Sequence, residues 1–139
     1  MSDTTTVRTL PIEDRLAVQD LLARYGWYVD ENRGDDWAAL YASDGIFEGT
    51  RPAPVVGTAD LRKVPGELTE RFGGRLRHQI SNLYVEAGED SDDAVAHFYT
   101  QVGQWNEGYT PVMLAVSRAI LRRIDGVWRI QRNTIRPLA

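Results

Sequence analysis

Residues 112–135, VMLAVSRAILRRIDGVWRIQRNTI, decide the fold of this chain. Apolar and β-branched residues dominate on both sides of Asp-Gly at 125–126, a dipeptide that favours the tight turn of a β-hairpin. The preceding run, 94–105, ends at Asn-Glu-Gly (106–108), which is a second hairpin signal. The pattern predicts long antiparallel strands that follow one another as a meander.

One more strand precedes this meander. From 77 to 87 the residues alternate, with His78, Ile80, Asn82 and Tyr84 on one side. Alternation of this kind indicates a strand that is covered on one face. An acidic turn at 89–93 joins it to the next run.

The first third of the chain has helical periodicity instead. Pro11 suits the first turn of a helix, Gly34 suits a stop, and apolar residues recur at helical spacing between them. A second helix is predicted over 35–42, with Asp35 as its N-cap.

A short strand is predicted over 45–49, between glycines, and a third helix over 59–72, capped by Thr58. Pro65 either kinks this helix or splits it in two. Helices followed by a strand meander predict an α+β fold. We expect a cone-shaped α+β barrel, a curved antiparallel or mixed sheet whose N-terminal helices enclose a pocket for a small molecule.

The whole chain, 1–139, is expected to be one domain, with a flexible N-terminal segment over 1–10. Its net charge of −4 argues against nucleic acid as a partner, because phosphate binding needs a basic surface. The absence of cysteine excludes disulfides, thiolate catalysis and cysteine-bound zinc. No apolar run reaches membrane-spanning length and no leader is evident, so we expect no membrane partner and a cytoplasmic protein.

Asp30 and His78 are the residues whose chemistry stands out. Asp30 closes the first helix and His78 opens the strand pattern 48 positions later, in a chain with only two histidines. A carboxylate that accepts a hydrogen bond from one ring nitrogen leaves the other nitrogen free to act as a base. We therefore predict a His–Asp dyad that needs no cofactor. The other histidine, His97, is expected at the surface, and two distant histidines argue against a metal site.

Four stretches of the chain resemble the SnoaL-like branch of the nuclear transport factor 2-like superfamily. They are residues 14–22, 25–30, 78–86 and 122–130, within a resemblance that covers about 12–136. The branch includes scytalone dehydratase, bile-acid 7α-dehydratase and hexachlorocyclohexane dehydrochlorinase. Such relatives are commonly trimers, and superfamily members at large are often dimers, so the resemblance implies a homo-oligomer.

The resemblance also implies catalytic roles. In dehydratase-like members an aspartate at the end of the first helix pairs with a histidine on the first long strand, and Asp30 and His78 stand at those positions. A tyrosine about one helical turn before the aspartate occurs in the bile-acid enzyme, where this chain has Tyr25. Its hydroxyl would polarise a substrate carbonyl or protonate a leaving oxygen. Core packing is the alternative for Tyr25.

Polar groups on the later strands are implied as substrate contacts. Related enzymes often carry a polar or acidic group on the strand after the histidine, and this chain offers Gln101, which cannot ionise. Near the C-terminus some members bind an anion or leaving group with an arginine, and Arg132 or Asn133 falls near that place.

Three further residues are candidates to contact substrate. Asn82 and Tyr84 lie on the His78 side of the predicted strand, and Trp27 lies between Tyr25 and Asp30. Packing in the core is the alternative for the tryptophan.

These observations predict a cofactor-independent lyase, a dehydratase-like enzyme that acts on a small hydrophobic, cyclic substrate. Two alternatives stay open. An isomerase or cyclase would begin with the same proton abstraction, and a non-catalytic binding or assembly module would use the fold without the chemistry.

Overall fold

The computed structural model describes residues 8–138. Positions 1–7 of the segment predicted to be flexible lie outside these residues. The remaining part of that segment is anchored, because the Arg8 carbonyl accepts a hydrogen bond of 3.0 Å from the Ala87 N–H and Leu10 is buried in the core.

The first helix, α1 (Ile12–Asp30), begins directly after Pro11, whose fixed φ suits a helix start. Asn32 adopts the left-handed conformation (φ 56°) just after the helix, so α1 ends before the predicted stop. Gly34 instead begins α2 (Gly34–Ala39). The buried residues of α1 recur every three or four positions: Val18, Leu21, Leu22, Tyr25, Gly26 and Val29.

Two predicted boundaries move in the segment that follows. Tyr41 and Ala42, predicted at the end of a helix, belong to β1 (Tyr41–Glu48). The predicted third helix is two helices, α3 (Thr58–Leu61) and α4 (Val64–Phe72). Pro65 lies in the first turn of α4, where its missing N–H costs no intrahelical hydrogen bond. Of the two effects predicted for this proline, the structure shows the split.

One mixed sheet contains all six strands of the described residues. After β1 come β2 (Val55–Val56), β3 (Leu76–Ala87), β4 (Asp93–Trp105), β5 (Tyr109–Ile124) and β6 (Val127–Pro137). Their order in space is β2-β1-β6-β5-β4-β3, and only the β1–β6 pair is parallel. The two end strands, β2 and β3, do not pair with each other, so the sheet curves without closing into a barrel.

The core lies between the inner face of the sheet and the helices. α1 crosses that face and contacts β3 and β6. Trp37 of α2 is fully buried at the centre, with its ring 4.9 Å from Tyr41 and 5.6 Å from both Tyr25 and Phe47. In the described part of the chain, no helix is both long enough and apolar enough to cross a membrane.

A bulge in β3 changes which residues face the core. The register of β3 against β4 shifts between Ser81 and Tyr84, and Asn82 has a left-handed φ of 52°. An extra residue in one strand moves every later side chain to the other face. Leu83 therefore packs on the core side, and Tyr84 is exposed.

Candidate active site

Asp30 and His78 meet where the C-terminal end of α1 packs against the start of β3. The two elements approach closely at Gly26, where an added Cβ would lie only 3.4 Å from the His78 carbonyl oxygen. This approach brings the Asp30 carboxylate to the edge strand. Both side chains are nearly buried, with 5% of Asp30 and 11% of His78 exposed.

The Asp30 carboxylate contacts His78 at two points. One oxygen, Oδ2, accepts the backbone N–H of His78 at 2.7 Å, and Oδ1 lies 2.6 Å from ring Nδ1. An ionised carboxylate only accepts hydrogen bonds, so this geometry places a proton on Nδ1. Nε2 has no hydrogen-bond partner among residues 8–138, and in the neutral ring it carries the basic lone pair.

Tyr25 lies nearby in a small buried polar cluster with Tyr41 and Asn133. Burial raises the pKa of Tyr25 well above its ordinary value of 10.0, the Asn133 amide opposes the rise, and the negative charge of Asp30 adds to it. Burial likewise raises the pKa of Tyr41. Both phenols therefore remain protonated at neutral pH, as hydrogen-bond donors.

The cluster holds unused hydrogen-bonding capacity. Within the described residues, the Tyr41 hydroxyl and both polar atoms of the Asn133 amide are buried close to Tyr25 but make no well-formed hydrogen bond. Buried polar atoms of this kind are uncommon and are costly to desolvate. The sequence left open whether Arg132 or Asn133 takes part in the site. In the structure Asn133, on β6, faces inward and lies next to Tyr25.

A cavity of about 820 Å³ lies between α4 and the inner face of the sheet, and both His78 and Tyr25 line it. This volume is in the range of small-molecule sites. Thr100 contributes a polar group that also contacts the Ser117 hydroxyl at 3.2 Å. Most of the remaining lining is apolar: Phe47, Pro52, Val64, Leu68, Phe72, Leu76, Val102, Val112, Met113, Ile135 and Pro137.

Two of the predicted substrate contacts border a different space. Trp27 and Asn82 line a second space, a groove of about 650 Å³ between α1 and the free edge of β3, which Asp30 and His78 also border. Trp27 is 68% exposed there. His78 therefore borders both spaces, whereas Asp30 borders only the groove, and neither Trp27 nor Asn82 lines the cavity.

Three other predicted substrate contacts lie on the outer face of the sheet. Gln101 donates to the Tyr109 hydroxyl at 2.9 Å. The Tyr84 ring stacks on His97 at 4.6 Å. Arg132 donates to Glu48 at 2.7 Å, which together with a hydrogen bond from Thr134 lowers the pKa of Glu48.

These placements correct the sequence prediction. The parity of each strand decides which residues face inward. In β4 the inward residues include Thr100 and Val102, which flank Gln101, and both line the cavity. Ala94, Ala96 and Phe98 alternate with Val95, His97 and Tyr99, and this contrast in polarity is too small to identify the inward face of β4 from the sequence.

Comparisons with known proteins agree with this architecture. A candidate aromatic ring hydroxylase from Novosphingobium aromaticivorans is 27% identical, with a TM-score of 0.75 over 94% of this chain and 93% of that one. A nuclear transport factor 2-like protein with a cystatin-like fold from the same organism is 23% identical, with a TM-score of 0.80 over 91% and 83%. A candidate scytalone dehydratase, also from Novosphingobium aromaticivorans, is 17% identical, with a TM-score of 0.78 over 92% of this chain and 86% of that one.

The identities of 23% and 17% show only that the chains share a fold. No curated protein matches the chain. The model of the SnoaL-like domain matches residues 11–134, nearly the whole sequence. This chain belongs to the SnoaL-like domain family, on the nuclear transport factor 2-like fold.

Proposed function

We propose that this protein is a lyase that eliminates water, or a similar leaving group, from a small hydrophobic cyclic substrate, with the His78–Asp30 pair as general base. One observation carries the proposal. The Asp30 carboxylate holds His78 at two points, 2.6 and 2.7 Å, and His78 lines a cavity of about 820 Å³. A histidine with its tautomer set and its second nitrogen unpaired has the form of a general base.

The elimination can be written for a cyclic β-hydroxyketone. Nε2 of His78 takes the proton next to the carbonyl, and the C–H electron pair becomes the new carbon–carbon double bond. The carbon–oxygen bond breaks with its electrons on oxygen, and the leaving hydroxyl takes the proton back from His78 as water departs. Asp30 stabilises the transient imidazolium, and the protonated Tyr25 donates a hydrogen bond to the carbonyl oxygen as negative charge develops there.

The general base can be tested without knowing the natural substrate. Nitrobenzisoxazole opens when a base removes its ring proton, and the phenolate product is coloured. We expect His78→Gln to lower the rate by about a hundredfold or more, the usual contribution of a general base. His97→Gln is the matched control, because His97 is also paired with a carboxylate, Glu86 at 3.3 Å, but on the outer face. Equal rates in wild type and both variants would overturn the general base.

The reaction type needs a second measurement. Incubation of β-hydroxycyclohexanone in deuterated water distinguishes the outcomes by mass spectrometry and NMR. Formation of cyclohexenone that depends on His78 supports elimination. Deuterium exchange next to the carbonyl without loss of water would support the isomerase or cyclase alternative instead. Absence of both, with tight binding of the ketone, would favour a binding module.

A further inference from the structure

The wall of the cavity next to α4 carries a charged rim, defined here as Arg51, Glu67 and Arg71. Arg51 lies in the loop after β1, and Glu67 and Arg71 lie one turn apart on α4, so they project from the same side of that helix. The rest of the lining is apolar apart from Tyr25, His78 and two threonines. Charged side chains in such a lining set the orientation of a ligand.

The loop that carries Arg51 is held close to β6. Gly49 has a φ of 110°, and an added Cβ there would overlap the carbonyl oxygen of Ile135. Only glycine allows this approach, because it has no side chain and tolerates positive φ. Arg51 is therefore placed at the cavity by the backbone of β1 and β6, and 28% of its side chain is exposed.

The rim has one positive charge in excess. Arg51 pairs with Glu67 at 3.1 Å. Arg71 has no carboxylate within salt-bridge distance among residues 8–138, and its guanidinium lies over the Phe72 ring at 5.2 Å. Glu70, the neighbouring acid on α4, does not line the cavity. Two guanidiniums and one carboxylate leave a net charge of about +1 facing the cavity.

The dyad carries the opposite sign. Asp30 is nearly buried behind His78, which lines the same cavity. An anionic group on a ligand is repelled by the Asp30 carboxylate and attracted by the excess positive charge of the rim. The cavity therefore discriminates between the two ends of a ligand that has one charged end.

From this arrangement we infer that the substrate carries a carboxylate on an apolar ring system. The carboxylate binds Arg71, with Arg51 beside it, and the ring carbon that loses its proton lies at His78. The inference rests on the proposed function and names its substrate class. A monoanion matches the excess charge of the rim, and guanidinium binds a carboxylate through two parallel hydrogen bonds.

Binding of a matched pair of ligands tests this inference without catalysis. The probes are naphthoate and naphthamide, which share one shape and differ by one charge, and the measurement is isothermal titration calorimetry at low and high salt. We expect naphthoate to bind wild type about five- to tenfold more tightly than naphthamide, and high salt to reduce that ratio. Arg71→Gln should abolish the preference and leave naphthamide affinity within about twofold, since only the charged contact is lost.

A second variant, which removes a negative charge from the rim instead of a positive one, strengthens the test. Glu67→Gln frees Arg51 from its partner, so we expect naphthoate affinity to rise about two- to threefold. Arg75→Gln and Glu70→Gln are the matched controls, because they make the same charge changes next to the rim without lining the cavity. The controls should leave the naphthoate preference unchanged.

The outcomes separate this inference from the proposed function. Equal affinity for naphthoate and naphthamide, or a preference that survives Arg71→Gln, overturns the carboxylate inference even if nitrobenzisoxazole is opened through His78. A preference that Arg71→Gln removes upholds it as a ligand-binding property even if His78→Gln leaves that reaction unchanged.

Discussion

Asp30 uses both carboxylate oxygens on His78, one for the backbone N–H and one for ring Nδ1. An amide cannot replace it, because asparagine has one acceptor oxygen and one donor group. If the oxygen keeps the backbone N–H, the amide NH₂ faces Nδ1 and stabilises the tautomer with its proton on Nε2. The nitrogen that would act as base then carries a proton and has no basic lone pair.

This argument makes a prediction for Asp30→Asn. We expect ¹⁵N NMR of the imidazole to show the proton on Nδ1 in the wild type and on Nε2 in the variant. The rate of nitrobenzisoxazole opening should fall by about a hundredfold or more for the same reason. Thermal unfolding serves as the control that the variant is folded. An Nδ1–H tautomer and full activity in the variant would show that Asp30 does not set the state of His78.

Tyr41 allows a prediction for alkaline pH. The pKa of this buried phenol lies well above its ordinary value of 10.0 in the folded protein, whereas the unfolded chain titrates near that value. Above pH 10 the folded state therefore binds more protons than the unfolded state. The free energy of unfolding should fall as the pH rises through this range, with a slope that approaches about 1.4 kcal/mol per pH unit for each such tyrosine.

Tyr41→Phe should flatten this decline, because only Tyr25 then contributes. The variant should also lose little stability at neutral pH, since the Tyr41 hydroxyl makes no well-formed hydrogen bond among the described residues. Urea unfolding from pH 7 to 11 measures both effects. An unchanged alkaline slope would mean that the Tyr41 hydroxyl is solvated in the folded protein.

At the scale of the element, the β3 bulge matters most. Asn82 takes the left-handed conformation that lets the strand gain one residue. Asparagine tolerates this conformation better than most residues, and β-branched residues tolerate it poorly. The bulge keeps Ile80 and Leu83 together on the core side and leaves Tyr84 outside.

We therefore expect Asn82→Gly to be close to neutral and Asn82→Val to cost about 1–2 kcal/mol of unfolding free energy. Urea denaturation of the two variants measures the difference. Gln79→Val is a suitable control, because Gln79 is exposed on the same strand at regular register. Equal stability of the glycine and valine variants at 82 would show that the strand can pair without the bulge.

At the scale of the whole molecule, the outer face of the sheet is open. Tyr84, Tyr99 and Leu114 are each about half exposed on neighbouring strands. A contiguous exposed apolar surface on a folded protein marks an interaction site. We propose that a second copy of this chain covers it, in a dimer or trimer.

Light scattering after size-exclusion chromatography at micromolar concentration should give a mass above that of one chain, 15.7 kDa. Leu114→Lys should lower the mass, because it places a charge in the proposed interface. Val127→Lys makes the same kind of change at the β5–β6 turn, away from this surface, and should leave the mass unchanged. A monomeric wild type would contradict the proposal.

The sequence by itself determined the order of the main elements, although it did not indicate the two-residue strand β2. Local patterns suffice for this, because helical periodicity, strand alternation and turn dipeptides act over a few residues. Such patterns predicted the first helix, the hairpin at 125–126 and the kink or split of the third helix at Pro65. The pairing of Asp30 with His78 rested on their spacing and on the family resemblance, and the structure brings them within 2.6 Å.

Only the tertiary structure decided which face each side chain occupies. A strand has a period of two residues, so a shift of one position moves a residue from the cavity to the outer face. The bulge at Asn82 and the parity of β4 and β6 place Tyr84, Gln101 and Arg132 outside, and Thr100 and Asn133 inside. The sequence could not predict the charged rim either, because Arg51 and Arg71 line the cavity from a loop and a helix that are distant in sequence.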